Sequence, residues 1–427
     1  MRFALVLLVL PMKVLLAADT SGGEMLSRAL MAGDLKTIEV ILSSGVDPNL
    51  AIRFGQTPVY VTPVYLAMSS NRTDALDLLL RWNADPNARL KSGRDNGEFP
   101  VTPLQYAAQS GNLRMATRLI TAGAQVDTTG LAGRTALHFA GRNHLEMMQL
   151  LIARGADVNA RDAEGASPLD DAVWNGALDA AAILLAHGAR LNEPDTATGA
   201  TPINEAAFRG HTPVVRYLLQ LHPDLDLPDK HGYRPLDNAV RMGKEDSALL
   251  LLAAEPKERQ TPEFLAKILI PAIRKDESLV VEYVLRRGAP PNGFLSSGAT
   301  PLDEAASGGQ IKSVRALLTG GADVNLSGTN GATPLEDAAL KGFDEIVSLL
   351  LDHGAMVNHL NAGSGTTALY AAASFGKSET VKLLLDRGAD PGLCGQNNKG
   401  PYQAALANGH GEIATQLMNR GGKKTCN

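Results

Sequence analysis

Thr333-Pro334-Leu335-Glu336-Asp337-Ala338-Ala339 is the stretch on which the fold turns. It recurs as Thr300-Pro301-Leu302-Asp303-Glu304-Ala305-Ala306, about 33 residues upstream, a period typical of stacked helical repeats. Thr333 suits a helix N-cap and Pro334 the first helical position. Glu336 stands where a carboxylate reaches back in a capping box. Ala338 and Ala339 are small, so a neighbouring helix can approach. Gly342 ends this first helix. A second follows through Ile346, Val347, Leu350 and Leu351, an apolar stripe at helical spacing. Gly354 then sits where a left-handed C-cap favours glycine, and elsewhere Asn83 and His222 take that slot. Asp323-Val324-Asn325 leads into the turn towards the next unit.

Working outward, the threonine slot recurs at Thr62, Thr102, Thr135, Ser167, Thr201, Arg234, Thr300, Thr333, Thr367 and Gly400. A double-length gap after Arg234 holds a degenerate unit, with Lys267 in the threonine slot and the tail Tyr283-Val284-Leu285-Arg286-Arg287-Gly288-Ala289-Pro290-Pro291-Asn292. A first unit runs from Met25 to Asn49. The array therefore has about twelve units, starting near residues 24, 62, 102, 135, 167, 201, 234, 267, 300, 333, 367 and 400 within 19–422, before a tail at 423–427. Stacking buries each apolar stripe on both sides, so a core forms without large side chains. Aromatics make up 4% of the chain, which fits a thin repeated core better than a globular enzyme.

These units resemble the ankyrin repeat over Glu24 to Gly422. Thr135-Ala136-Leu137-His138 keeps the family's His; elsewhere the slot holds Asp170, Asn204, Asp237, Asp303, Glu336, Tyr370 or Gln403. The resemblance implies an all-α, right-handed solenoid of helix-turn-helix units joined by β-hairpin-like loops. It also implies binding of a protein partner on a concave side, at hairpin tips and the ends of first helices. By register those ends are Arg142 and Asn143, Trp174 and Asn175, Phe208 and Arg209, Arg241 and Met242, Leu340 and Lys341, Ser374 and Phe375. Arg134 and Tyr233 are the tips. The expected partner-binding patch is Arg142, Trp174, Phe208, Arg209, Tyr233 and Arg241, rich in side chains enriched at interface centres. Packing of Trp174 or Phe208 against the next unit is the competing reading.

The ends and the composition bound the rest. The net charge of −5 gives no basic stripe for nucleic acid. Arg2 precedes the apolar run Phe3-Ala4-Leu5-Val6-Leu7-Leu8-Val9-Leu10, and Leu15-Leu16-Ala17-Ala18 follows. This reads as a bacterial-type secretory signal peptide over 1–18, although Lys13 interrupts it; a buried N-terminal cap is the alternative. The body lacks an apolar stretch long enough to span a membrane. The two cysteines, Cys394 and Cys426, lack metal-ligand spacing. They either staple the C-terminal unit or stay free, since equivalent places in stacked units lie roughly 10 Å apart, too far to bond unless the tail moves. Asn71-Arg72-Thr73 and Asn325-Leu326-Ser327 match glycosylation sequons inside repeat-pattern residues.

No nucleophile elbow, phosphate loop, dinucleotide fingerprint or paired-His metal motif occurs. The ladder Asp170-Asp171, Glu205, Asp237, Asp303-Glu304 and Glu336-Asp337 falls in first turns of helices, where capping and the helix dipole favour acids. Insertions mark the loop Arg89 to Pro100 and the connector Glu255-Pro256-Lys257-Glu258-Arg259. The sequence reads as an exported, monomeric, non-catalytic scaffold without cofactor or catalytic residues. A secreted effector gripping a host protein is one alternative. An enzyme or metal binder using the acidic ladder is another, and a cytoplasmic location a third.

Overall fold

The computed structural model describes residues 22–53, 59–92, 98–99, 101–141, 144–395 and 399–426. The apolar run of 1–18, part of the Arg89–Pro100 loop, and Arg142 with Asn143 lie outside these residues. The chain divides into two compact units, Met1–Pro202 and Ile203–Asn427. The first contains five helix pairs: α1 (Gly22–Ala32) with α2 (Leu35–Ser43), α3 (Pro63–Ser69) with α4 (Thr73–Arg81), α5 (Pro103–Ser110) with α6 (Leu113–Thr121), α7 (Ala136–Ala140) with α8 (Leu145–Ala153), and α9 (Pro168–Trp174) with α10 (Leu178–Ala186).

The second unit begins within α11 (Pro202–Arg209), paired with α12 (Thr212–Gln220). Then come α13 (Pro235–Arg241) with α14 (Glu245–Ala254), α15 (Pro262–Arg274) with α16 (Ser278–Arg286), and α17 (Pro301–Gly308) with α18 (Ile311–Thr319). The last pairs are α19 (Pro334–Lys341) with α20 (Asp344–Asp352), α21 (Ala368–Ser374) with α22 (Ser378–Asp386), and α23 (Pro401–Ala407) with α24 (Gly411–Asn419). First helices stack on first helices, as α17 on α19 and α19 on α21; second helices stack likewise, as α16 on α18 and α18 on α20. The core is the paired alanines with the leucine stripe: Ala338, Ala339, Val347 and Leu350 are fully buried. No helix among the described residues is long and apolar enough to cross a membrane.

One element of strand structure joins this helical architecture. The long loops around α3 and α4 carry β1 (Ile52–Arg53), β2 (Val59–Val61), β3 (Leu90–Ser92) and β4 (Glu98–Phe99), hydrogen-bonded antiparallel in that order. Ile52 pairs with Val61, Tyr60 with Lys91, and Leu90 with Phe99. The insertion read as a polar loop thus supplies two strands of a small sheet.

The degenerate unit starts earlier than Lys267. Its N-cap is Thr261, whose hydroxyl accepts from Phe264 N at 3.3 Å, and Pro262 opens α15. The unit therefore keeps the Thr-Pro cap; what differs is a first helix of 13 residues. Pro271 lies inside that helix and offers no N–H to the preceding turn. Leu265, Leu269 and Ile273 are nonetheless buried and hold α15 in the stack.

The hairpin asparagines link neighbouring repeats. Asn325 Oδ1 accepts from Met356 N at 2.8 Å while its Nδ2 donates to Gly354 O at 3.1 Å. Asn358 does the same with Asp390 N at 2.8 Å and Gly388 O at 3.2 Å. In the first unit Asn159 bonds Arg190 N and Gly188 O, both at 3.0 Å. An aspartate two residues earlier holds Asn325 and Asn159 in a tight turn, as Asp323 Oδ1 accepts from Asn325 N at 2.9 Å; before Asn358 that place is Met356. Asn325 and Asn71, the sequon residues, are thus both engaged; Asn71 accepts from Asn112 at 3.0 Å.

At the C-terminus Cys394 and Cys426 are bonded, with Cα atoms 5.8 Å apart. The separation expected of equivalent stacked positions is shortened because the tail folds back. Gln403 Nε2 donates to Lys423 O at 3.0 Å, and Cys426 is buried.

Gly354 has φ +88°, and a Cβ added there meets nothing within 4 Å. The cost of Gly354→Val is therefore backbone strain alone, roughly 1–2 kcal/mol or more for a β-branched residue. Asn325→Ala removes two inter-repeat hydrogen bonds and costs about 1–2 kcal/mol. Lys341→Ala, at an exposed site, shifts stability within about 0.5 kcal/mol. Urea denaturation ranks the three; a Lys341 effect equal to the other two contradicts this register.

Candidate functional site

The ladder slots are filled by capping. Asp303 accepts from Thr300 N at 2.8 Å, and Thr300 Oγ1 from Asp303 N at 3.1 Å. Asp170 and Ser167 make the same box. Burial raises both carboxyls to about 6, against the hydrogen bonds from the caps. His138 fills the slot from the other side of neutrality. It is buried between Thr135 and Ala166 O at 3.1 Å, and burial lowers it to about 4, so it stays neutral. Glu336 departs from the expected capping box. Thr333 Oγ1 accepts from Glu336 N, but the carboxylate turns to Asn361 Nδ2 at 2.9 Å and Thr366 Oγ1 at 2.6 Å. It ties its unit to the next hairpin instead.

The following position carries acids that meet arginines: Asp171 with Arg134, Glu205 with Arg209 at 2.9 Å, Glu304 with Arg274 at 2.6 Å. Asp337 has Asp303 and Glu336 as neighbours. Burial first, then those two charges, raise it to about 7. Among the described residues no group of three His, Cys, Asp or Glu stands where it can hold a metal ion.

Of the six residues expected to bind a partner, four lie in the second unit. The Arg241 guanidinium stacks 3.5 Å from the centroid of the Tyr233 ring. Arg209 lies 5.9 Å from the Phe208 ring, and Phe208 is 38% exposed. Asn238 Nδ2 donates to Asn204 Oδ1 at 3.2 Å, so α13 lies directly beside α11. Trp174 belongs to the first unit, half-buried at the end of α9. Arg142 lies outside the described residues. Arg134, read as a hairpin tip, is closed on Asp171 and lies 5.5 Å over Phe139.

Other features escaped the sequence reading. Lys244 lays its alkyl chain over Gly210, where an added Cβ would come within 2.6 Å of Lys244 Cδ. Lys275 covers Gly243 in the same way at 3.6 Å. A signal was present for Lys244, which follows the glycine that ends a first helix; Lys275 follows Arg274 at the end of α15. In the first unit Tyr65 and Tyr106, on successive first helices, meet edge to face at 5.5 Å.

The family profile described as "Ankyrin repeats (3 copies)" matches residues 64–162, 104–195, 169–261, 269–361 and 357–427. The chain belongs to the ankyrin repeat family. It is 28% identical over 247 residues to "Ankyrin repeat protein nuc-2" of Neurospora crassa, covering 57% of this chain and 22% of that protein. It is 32% identical over 177 residues to "B-cell lymphoma 3 protein homolog" of Mus musculus, covering 41% of this chain and 39% of that protein. With "Cyclin-dependent kinase 4 inhibitor B" of Rattus norvegicus it shares 35% identity over 115 residues, 27% of this chain and 88% of that one. The chain thus spans well under half of the first two relatives. Ankyrin repeats are in general non-catalytic interaction modules, and this array is read as one.

Glu277 is a buried acid without compensation among the described residues. It is 3% exposed at the start of α16, and neither carboxyl oxygen has a hydrogen-bond partner among the described residues. Burial, helped by Glu245, pushes it up to about 8. Below pH ~4.5, folded and unfolded chains both hold the proton. Between there and pH 8 the unfolded chain releases it and the folded one keeps it, so stability falls as pH rises through that window. Glu277→Gln should therefore stabilise the protein at pH 8–9, with the gain gone near pH 4. Denaturant midpoints across pH check this; a pH-independent difference between variant and parent would remove the assignment.

Proposed function

We propose that this ankyrin array is a non-catalytic scaffold, exported to a periplasm or the extracellular space, that binds a partner protein at the ends of its first helices. The observation that carries the binding surface is the pairing of exposed Phe208 with Arg209 and of Tyr233 with exposed Arg241. An exposed aromatic contributes nothing to a core, and aromatics with arginines are the residues that dominate interface energetics. The relative named as a kinase inhibitor is, by its name, directed at another protein, which supports a protein partner. Export is supported by the apolar run Phe3 to Leu10 behind Arg2 and by the Cys394–Cys426 bond, because structural disulfides persist in oxidising compartments.

Trp174→Ala with Phe208→Ala should leave the circular dichroism spectrum intact and weaken a captured partner by at least about 2 kcal/mol, as truncated hot spots do. Loss of folded signal would instead place the two rings in the core. Export has its own readout: the N-terminus of protein from the native host starts near Asp19, and thiol titration without reductant finds no free cysteine. An intact Met1 on protein with two free thiols would exclude it.

A further inference from the structure

In a chain whose net charge is −5, three cations near the ends of α13 and α15, Arg241, Lys244 and Lys275, make no ion pair among the described residues. Arg241 is exposed, and the Tyr233 ring 3.5 Å away is its partner; no carboxylate or carbonyl bonds it among the described residues. Lys244 and Lys275 make no ion pair among the described residues, and their alkyl chains are laid over Gly210 and Gly243. Several acids on the same elements have partners of their own, while Glu263 stays exposed on α15. Glu205 holds Arg209, Asp237 accepts from Arg234 N at 3.0 Å, and Glu245 accepts from Leu279 N at 2.7 Å. Asp276 accepts from Ser313 N at 2.8 Å, and buried Glu277 keeps its proton at neutral pH. Asp246 stays exposed on α14. Met242 follows Arg241 in the chain and is 42% exposed, and Phe208, on the neighbouring α11, is 38% exposed.

We propose that this cationic, partly apolar surface receives an acidic segment of the partner protein, one carboxylate docking on Arg241 and its neighbours on Lys244 and Lys275. The proposal rests on the protein-binding reading and adds the partner's chemistry. A guanidinium stacked on a ring is pre-organised: its planar fork faces outward at little entropic cost and matches a carboxylate with two parallel hydrogen bonds. The apolar pair beside it takes an apolar side chain of the same segment.

The test uses the full chain and a fluorescein-labelled peptide that mixes glutamate with leucine. Controls are the same peptide with glutamine for glutamate, and an oligothymidylate. The glutamate peptide should bind in anisotropy titrations, more weakly as salt rises, and the glutamine peptide should not. Arg241→Gln should weaken binding about tenfold or more, and Arg241→Lys nearly as much, since a lysine lacks the fork. Lys382→Gln, exposed on α22, should change nothing. Circular dichroism confirms that each variant folds. Equal binding of both peptides, or an unchanged Arg241→Gln, overturns the proposal; tighter binding of oligothymidylate that Arg241→Gln abolishes replaces it with a nucleic-acid site. A partner captured from lysate that releases Phe208→Ala but holds Arg241→Gln would refute the acidic segment while leaving protein binding in place.

Discussion

Each hairpin asparagine spends one amide on the repeat that follows it. In Asn325 the oxygen takes the backbone N–H of Met356 and the nitrogen caps the carbonyl of Gly354. A helix end leaves carbonyls without partners, and a side chain from the previous unit satisfies one of them here. The two bonds point in opposite senses, so they fix distance and register together. Once that register is set, the alanine faces of successive first helices meet at close range, and the leucine stripes of the second helices are covered on both sides. The aspartate two residues earlier keeps the asparagine aimed, and the left-handed glycine gives it a carbonyl to reach. No unit has a core of its own, so the stack depends on this repeated contact.

Charge follows from the same periodicity. In several first helices a polar slot in the first turn is buried, as at Gln105, His138, Asp170 and Asp303, which makes it a capping position rather than a site. Asp170 and Asp303 are held there by Ser167 and Thr300, and His138 by Thr135. At the next position Asp171, Glu205 and Glu304 meet arginines, while Asp337 has two acids for neighbours. Glu277 is the exception. It falls at a helix start that the stack closes off, and it has neither cap nor arginine. At the ends of first helices Phe208 and Met242 stay exposed, and Arg241 lies on a tyrosine ring instead of a carboxylate.

The repeat and its caps were legible because they depend on neighbours in sequence. Thr333, Pro334, Ala338 and Gly354 act within one helix or turn, and a period of about 33 residues exposes them by repetition. The degenerate unit misled because its register was extrapolated from spacing. A first helix of 13 residues moved the cap from Lys267 to Thr261, although Thr261-Pro262 stands plainly in the chain. Glu336 misled differently: the capping geometry was right for its backbone, but a stronger pair of donors lay in the next hairpin.

The sequence by itself determined the family, the helix pairing, the left-handed glycines and the polar slots, all of which follow from local backbone preference and periodic burial. The tertiary structure decided what stacking brings within reach. It turned the asparagines into bridges, folded the tail back so that Cys394 meets Cys426, closed Arg134 on Asp171 and left Arg241 lying on Tyr233. Those outcomes rest on distances between residues in different repeats or turns. A side chain's partner across such a gap is chosen by which donors and charges the packing brings close, and one-dimensional spacing does not encode that choice.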